Sequence, residues 1–169
     1  MAATLKFRLT GGASNTNPNA SLGGVMSSTE VSATPMNNLF DNVSPAEAEA
    51  GDVEFRAIDI YNSGDATATE VKIYMSTETS SPDTQIDLGY DSAGAHASNW
   101  SGPSISNEGD TPANSGGGNI SFSHYTSLSK LTLPDIPSGQ AVRVWLKRIV
   151  STGAGNTADD QGTITVEYA

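Results

Sequence analysis

Residues 52–64 constrain this chain more than any other stretch. Asp52-Val-Glu-Phe-Arg-Ala-Ile-Asp-Ile-Tyr-Asn62 mixes apolar and charged residues as a β-strand does, and runs into an Asn-Ser-Gly-Asp turn at 62–65. A second strand follows, with Val71, Ile73 and Met75 alternating against Lys72 and Tyr74. Period-two alternation on both sides of a glycine-bearing turn predicts a half-buried antiparallel hairpin. The same period recurs near the end of the sequence. Val142, Val144 and Leu146 alternate with Arg143, Trp145 and Lys147; Ile164, Val166 and Tyr168 alternate with Thr163, Thr165 and Glu167.

These patterns predict strands near 53–62, 70–76, 84–89, 129–134, 140–150 and 161–168, with Leu5, Phe7 and Leu9 forming a first strand opposite Lys6 and Arg8. The expected fold is all-β, an immunoglobulin-like antiparallel β-sandwich with an extended N-terminal arm; a jelly roll is the competing architecture. Two segments are expected. Residues 1–50 hold the first strand, a Gly/Ser/Asn-rich arm and a short helix, and residues 51–169 hold the sandwich with a long loop insertion near 90–126.

The arm is residues 10–38, where Gly11, Gly12, Gly23, Gly24, Pro18 and Pro35 punctuate a tract of Ala, Ser, Thr and Asn. Such a tract has too little apolar side chain to offset its ordering entropy by itself. Either a neighbouring subunit or the arm's own domain must hold it. Ser44, Pro45 and Glu47 supply an N-cap, an N1 proline and a capping-box acid, and Gly51 a stop, so one to two helical turns are expected there. Leu39, Phe40 and Val43 are expected to pin this corner to the core.

Chemistry-bearing patterns are sparse. The absence of cysteine excludes disulfides, thiolate metal sites and cysteine nucleophiles. Nineteen acids against eight bases give a net charge of −11, which argues against a surface that tracks nucleic-acid phosphates. No apolar run approaches the ~20 residues that span a bilayer, and the first residues have no signal-peptide core, so a soluble protein made in a cytoplasm is expected. His96 and His124 both fall in the 90–126 excursion, without a Gly-x-Ser-x-Gly elbow or a zinc-binding helix motif. Asp83, Asp87, Asp91, Asp159 and Asp160 lack calcium-loop spacing and read as turn-forming acids. No catalytic, cofactor or metal residue is assigned, and no enzyme activity is expected.

The elements Leu9-Thr-Gly-Gly-Ala13, Ser21-Leu-Gly-Gly24, Asn38-Leu-Phe-Asp-Asn-Val-Ser44, Glu47 to Gly51 and Asp52-Val-Glu-Phe-Arg56 resemble a group of small tailed-phage virion structural proteins. The likeness continues through Ile60-Tyr-Asn62, Gly64, Ser81 to Gly89, Ser106-Asn-Glu108 and Thr111-Pro112. It extends to Phe122, Pro137-Ser-Gly139 and Val144-Trp-Leu-Lys-Arg148. The resemblance covers most of the chain, and its motifs are turn and core signatures rather than catalytic ones. It implies a head decoration (cement) protein of the virion, bound to the major capsid protein and to neighbouring copies of itself as a homotrimer or other homo-oligomer, with no nucleic acid and no membrane. A tail or neck component is the alternative within the group. Leu5, Phe7, Leu9, Leu22, Met26 and Trp100 are the candidate partner-binding residues, the first three by adding a strand to a neighbour's sheet edge. A carbohydrate-binding surface module is a further alternative, with Trp100, Tyr90 and Tyr125 as stacking platforms.

Overall fold

The structure, a computed structural model, describes residues 1–169. Its strands are β1 (Leu5–Leu9), β2 (Gly23–Val25), β3 (Asp52–Asn62), β4 (Lys72–Thr77), β5 (Thr84–Ala97), β6 (Ser101–Ser104), β7 (Leu131–Thr132), β8 (Gln140–Val150) and β9 (Thr163–Glu167). Helical structure is confined to one 3-10 turn, Pro18–Ala20, and to α1, Pro45–Ala50. Three antiparallel sheets result, ordered β1-β3-β8-β5, β7-β4-β9 and β2-β6. The protein is all-β, and the first two sheets face one another as a sandwich.

Alternation along β3 and β8 explains the layering. Ile58 and Ile60 of β3, with Val142, Val144 and Leu146 of β8, point into the space between the sheets. They meet Val71, Ile73 and Met75 from the β4 side, and Leu131, Leu133 and Ile136 beside them. The opposite face of the larger sheet carries Phe55, Ala57 and Trp145, which pack on Ile120 with Ile105 and Phe122 at the margin. The central strands are therefore buried on both faces, and each fully buried aliphatic side chain contributes about 1.5–3 kcal/mol.

The expected hairpin does not form. Asn62 to Asp65 does turn the chain, but β3 pairs with β1 and β8, whereas β4 pairs with β7 and β9 in the facing sheet. Both edges of β3 are taken by distant partners, so the turn becomes a crossing between layers. Gly64 serves that crossing by close approach, since a Cβ there would collide with the backbone of Ala2 and Thr4.

The arm folds onto its own domain. Beyond Leu9 the outer edge of β3 would be bare, and the arm and a later loop close it. The Ala57 N–H donates to the Ser21 carbonyl at 2.8 Å, and the Phe55 N–H to the Glu108 carbonyl at 2.7 Å. The side chains of Ser21 and Thr10 both donate to the Ala57 carbonyl, at 2.6 and 3.2 Å. Residues 27–31 then line β1, through Ser27 N–H to the Leu9 carbonyl at 2.8 Å and Val31 N–H to the Phe7 carbonyl at 2.9 Å. One sheet thus draws strands from both expected segments, and the boundary near residue 50 does not separate two units.

Two further boundaries move. The excursion expected at 90–126 begins as strand, because β5 continues through an irregularity between Tyr90 and Ala95 to Ala97, and β6 then pairs with β2. The strand expected at 129–134 shrinks to Leu131–Thr132, hemmed in by the Thr126–Ser129 turn and by Pro134. Residues Ile120 and Phe122 do not form a strand; the segment pairs with β5 at a single bridge, between Leu88 and Ser123.

Candidate contact surface over a charged sheet

Charged residues interrupt the apolar faces of β3 and β8 at matched register positions. Glu54 stands opposite Arg148, and Asp59 opposite Arg143. All four are buried. Pairing is what makes this tolerable, because an isolated ion in such surroundings costs several kcal/mol.

The first cluster lies where Leu39 and Phe40 cross the end of the inter-sheet core. The Arg56 guanidinium, whose side chain is wholly buried, donates to Glu108 at 2.6 Å, to the Leu39 carbonyl at 3.1 Å and to the Phe55 carbonyl at 3.0 Å. Arg148 donates to the Asp41 carbonyl at 2.6 Å and pairs with Glu54 and, at 3.5 Å, with the Asp41 carboxylate. The Phe40 ring lies 5.3 Å from one guanidinium carbon and 4.9 Å from the other. Burial pushes the Glu54 carboxyl from 4.5 up to about 7; Arg148 opposes that rise, while Glu108 and Asp41 add to it. Above the cluster is a shallow recess of about 360 Å³ lined by Asn19, Leu22, Asp41, Ser106, Asn107 and Glu108. Asp41 and Glu108 are each 40% exposed at its rim, so the recess presents carboxylate oxygens outward over guanidinium groups held below.

The second cluster lies under β2 and β6. Arg143 donates to both oxygens of Asp59, at 2.7 and 3.0 Å, and to the Gly24 carbonyl at 2.8 Å. His96 bonds the Ala97 carbonyl through Nδ1 at 3.0 Å and turns Nε2 toward Asp59 at 3.5 Å. Burial alone would raise the Asp59 carboxyl, but His96 and Arg143 together hold it below the usual carboxylate range. Trp100 closes the cluster, with its ring 4.2 Å from the His96 ring and 5.2 Å from the Arg143 guanidinium carbon, against Gly102. A bidentate carboxylate–guanidinium pair roofed by an aromatic ring is a rigid strut tying β3, β8, β5 and β2 together.

The candidate partner-binding residues fall in four environments. Leu9 and Met26 are buried within the domain and offer nothing to a neighbour. Leu5 and Phe7 are half-buried in β1, packed on the core and paired with Asn62 and Ile60 of the same chain, so β1 is not a free strand for donation. Leu22 lines the recess, and Trp100 is half-buried between His96 and Gly102 rather than displayed in a free loop. Tyr90 and Tyr125 pack on the inter-sheet core, whereas Trp100 covers Arg143 on the other face of the larger sheet, so the three aromatics do not form a stacking platform.

The loop acids act as turn fasteners. Asp160 accepts from the Ser81 N–H at 2.8 Å and the Thr84 hydroxyl at 2.6 Å; Asp83 accepts from the Gly155 N–H, and Asp91 from the N–H and hydroxyl of Ser115. His124 meets Glu78 at 3.0 Å and Asp87 at 3.4 Å on the far side of β5. Sequence patterning alone does not single out Glu54, Arg56, Asp59, Arg143 and Arg148. The available signal was opposite charges at inward positions of two strands, and it becomes meaningful only once β3 and β8 are known to pair. Comparison with protein families, curated proteins and solved structures gives no match to this chain. No helix is long and apolar enough to cross a membrane.

Proposed function

We propose that this chain is a non-enzymatic structural protein of a tailed-phage particle, a head decoration protein that binds over the major capsid protein shell. One observation carries the reading. The Gly-, Ser- and Asn-rich segment 10–38 is bonded along the sheet edge and roofs the larger sheet together with β6 and the 105–110 loop, giving a rigid outer layer. A stiff small β-domain of this kind can adhere without losing much conformational freedom, and preorganisation of a contact layer favours affinity. The acidic recess around Asp41 and Glu108 supplies a complement for a basic side chain of the shell, in keeping with the net charge of −11.

The reading is tested by co-sedimentation with shells assembled from the capsid protein of the same phage. Saturable binding that raises the shells' resistance to heat is the expected result. Asp41→Asn, which removes one rim charge while leaving the Asp41 carbonyl to hold Arg148, should weaken binding roughly five- to ten-fold and steepen nothing else in the shell's melting. Shells that pellet without the protein at every ratio would rule the decoration role out.

A further inference from the structure

The two facing sheets have four edges, and the chain protects three of them. Residues 27–31 line β1. Outside β5, Ser123 exchanges both main-chain bonds with Leu88, and the His124 ring bonds the Ile86 carbonyl at 3.0 Å. At the β4 side, β7 is only two residues long, and the Tyr125 carbonyl takes the Met75 N–H beyond its end. Short or covered edges are the usual defence against pairing with another chain.

The fourth edge, β9, has no such cover. Because the Val71 carbonyl accepts from Leu133 and the Met75 N–H donates to Tyr125, Val71, Ile73 and Met75 turn their main-chain groups toward β7. Lys72 and Tyr74 turn theirs toward β9, where they face Glu167 and Thr165. By the same alternation Ile164 and Val166 direct their N–H and C=O groups outward, and no group of the chain meets them there. Their side chains pack on the core yet remain half-buried. The segment Thr-Ile-Thr-Val-Glu contains no proline and no lysine.

We infer that β9 is where a second copy of this chain adds, edge to edge and antiparallel about a twofold axis. The sequence is self-complementary in the register centred on Thr165. Ile164 of each copy exchanges main-chain bonds with Val166 of the other, which uses the outward groups and extends the inter-sheet core. Thr165 faces Thr165 across the axis, and Glu167 faces Thr163, so no like charges are opposed. Glu167, the one ionisable residue of the strand, is already paired with Lys130 at 2.8 and 2.9 Å. The edge is thus locally neutral on a copy that carries −11 overall. Long-range repulsion opposes this association and salt relieves it.

The chain has no cysteine, so Thr165→Cys gives an unambiguous readout. A directly opposed, non-hydrogen-bonded pair sits about 4.5 Å apart between Cα atoms, within disulfide range. Under mild oxidation T165C should form a covalent homodimer roughly ten-fold faster than Leu128→Cys, a control in an exposed turn. Val166→Pro removes an outward N–H and leaves the ladder to β4 intact; by sedimentation it should be monomeric where the native chain is dimeric, with an unchanged circular dichroism spectrum. The native dimer fraction should rise between about 0.05 M and about 0.5 M salt. Cross-linking of T165C no faster than the control, or a dimer that survives V166P, overturns the inference; if V166P fails to fold, the cross-linking rates decide.

Discussion

Glu54 and Asp59 lie five positions apart on β3 and are buried alike, yet their carboxyls move in opposite directions. Asp59 receives two bonds from Arg143 with His96 alongside, and its charged form is favoured. Glu54 is held chiefly by Arg148, which it shares with Asp41, and burial dominates, lifting it to about 7. A folded-state pKa above the unfolded 4.5 means that the fold binds this proton more tightly than the unfolded chain does. The stability contributed by Glu54 is therefore full below about 4.5 and is lost as pH rises toward about 7. The Asp59 contribution has the reverse sign: it is present above the ordinary carboxylate range and disappears only as pH falls through the lowered value, outside this window. Urea midpoints measured from about pH 5 to about pH 7.5 should fall for the native chain and stay flatter for Glu54→Gln, since glutamine has no proton to lose. Parallel profiles for the two would show that Glu54 does not titrate in this interval.

At the scale of elements, what could be read in the sequence is what depends on near neighbours. The helix is the clearest instance: Ser44 Oγ accepts from the Glu47 N–H at 3.3 Å, Glu47 accepts from the Ser44 N–H at 2.6 Å, and Gly51 ends the helix at φ 76°. All of that chemistry is complete within eight residues. The β3–β4 hairpin was equally well patterned and is absent, because a period of two reports which face is buried and says nothing about which strand lies alongside. The charged clusters were illegible for the same reason, as Arg143 matters only opposite Asp59, 84 positions away. Short as it is, α1 has a task. The carbonyls of Ala48 and Glu49 accept from Ala154 and Gly153, which anchors the turn after β8. Ser44→Ala should cost about 1 kcal/mol in urea unfolding, because the Glu47 N–H loses its acceptor and the anchor loosens. A change within about 0.3 kcal/mol would mean that the tertiary bonds hold the helix without its cap.

At the scale of the molecule, the segment that composition marks as unable to order itself is ordered by what it covers. Its own side chains contribute little: between residues 11 and 38 only Ser21, Met26, Ser27 and Gly23 are buried, and the last has no side chain. Its main chain contributes much more: Gly11 and Gly12 donate to the carbonyls of Gly23 and Val25, Leu9 to Thr29, Ser27 to Leu9, and Ala57 of the central strand to Ser21. An arm held by its backbone to an inner strand cannot detach without baring that strand's edge, so it should open only with the sheet. Native-state hydrogen exchange reads this directly, since amides freed by local fraying exchange with almost no opening cost while those freed by global unfolding share one large value. The amides of Gly11, Ser27, Val31 and Ala57 should exchange with opening free energies close to those of Ile58 and Val144 in the central strands. The same linkage means that removing residues 1–38, which takes β1 and the cover of β3 together, should abolish cooperative unfolding. A loose tether would behave otherwise, with rapid exchange at Gly11 and Ser27, slow exchange at Ile58, and a truncated domain that still melts sharply.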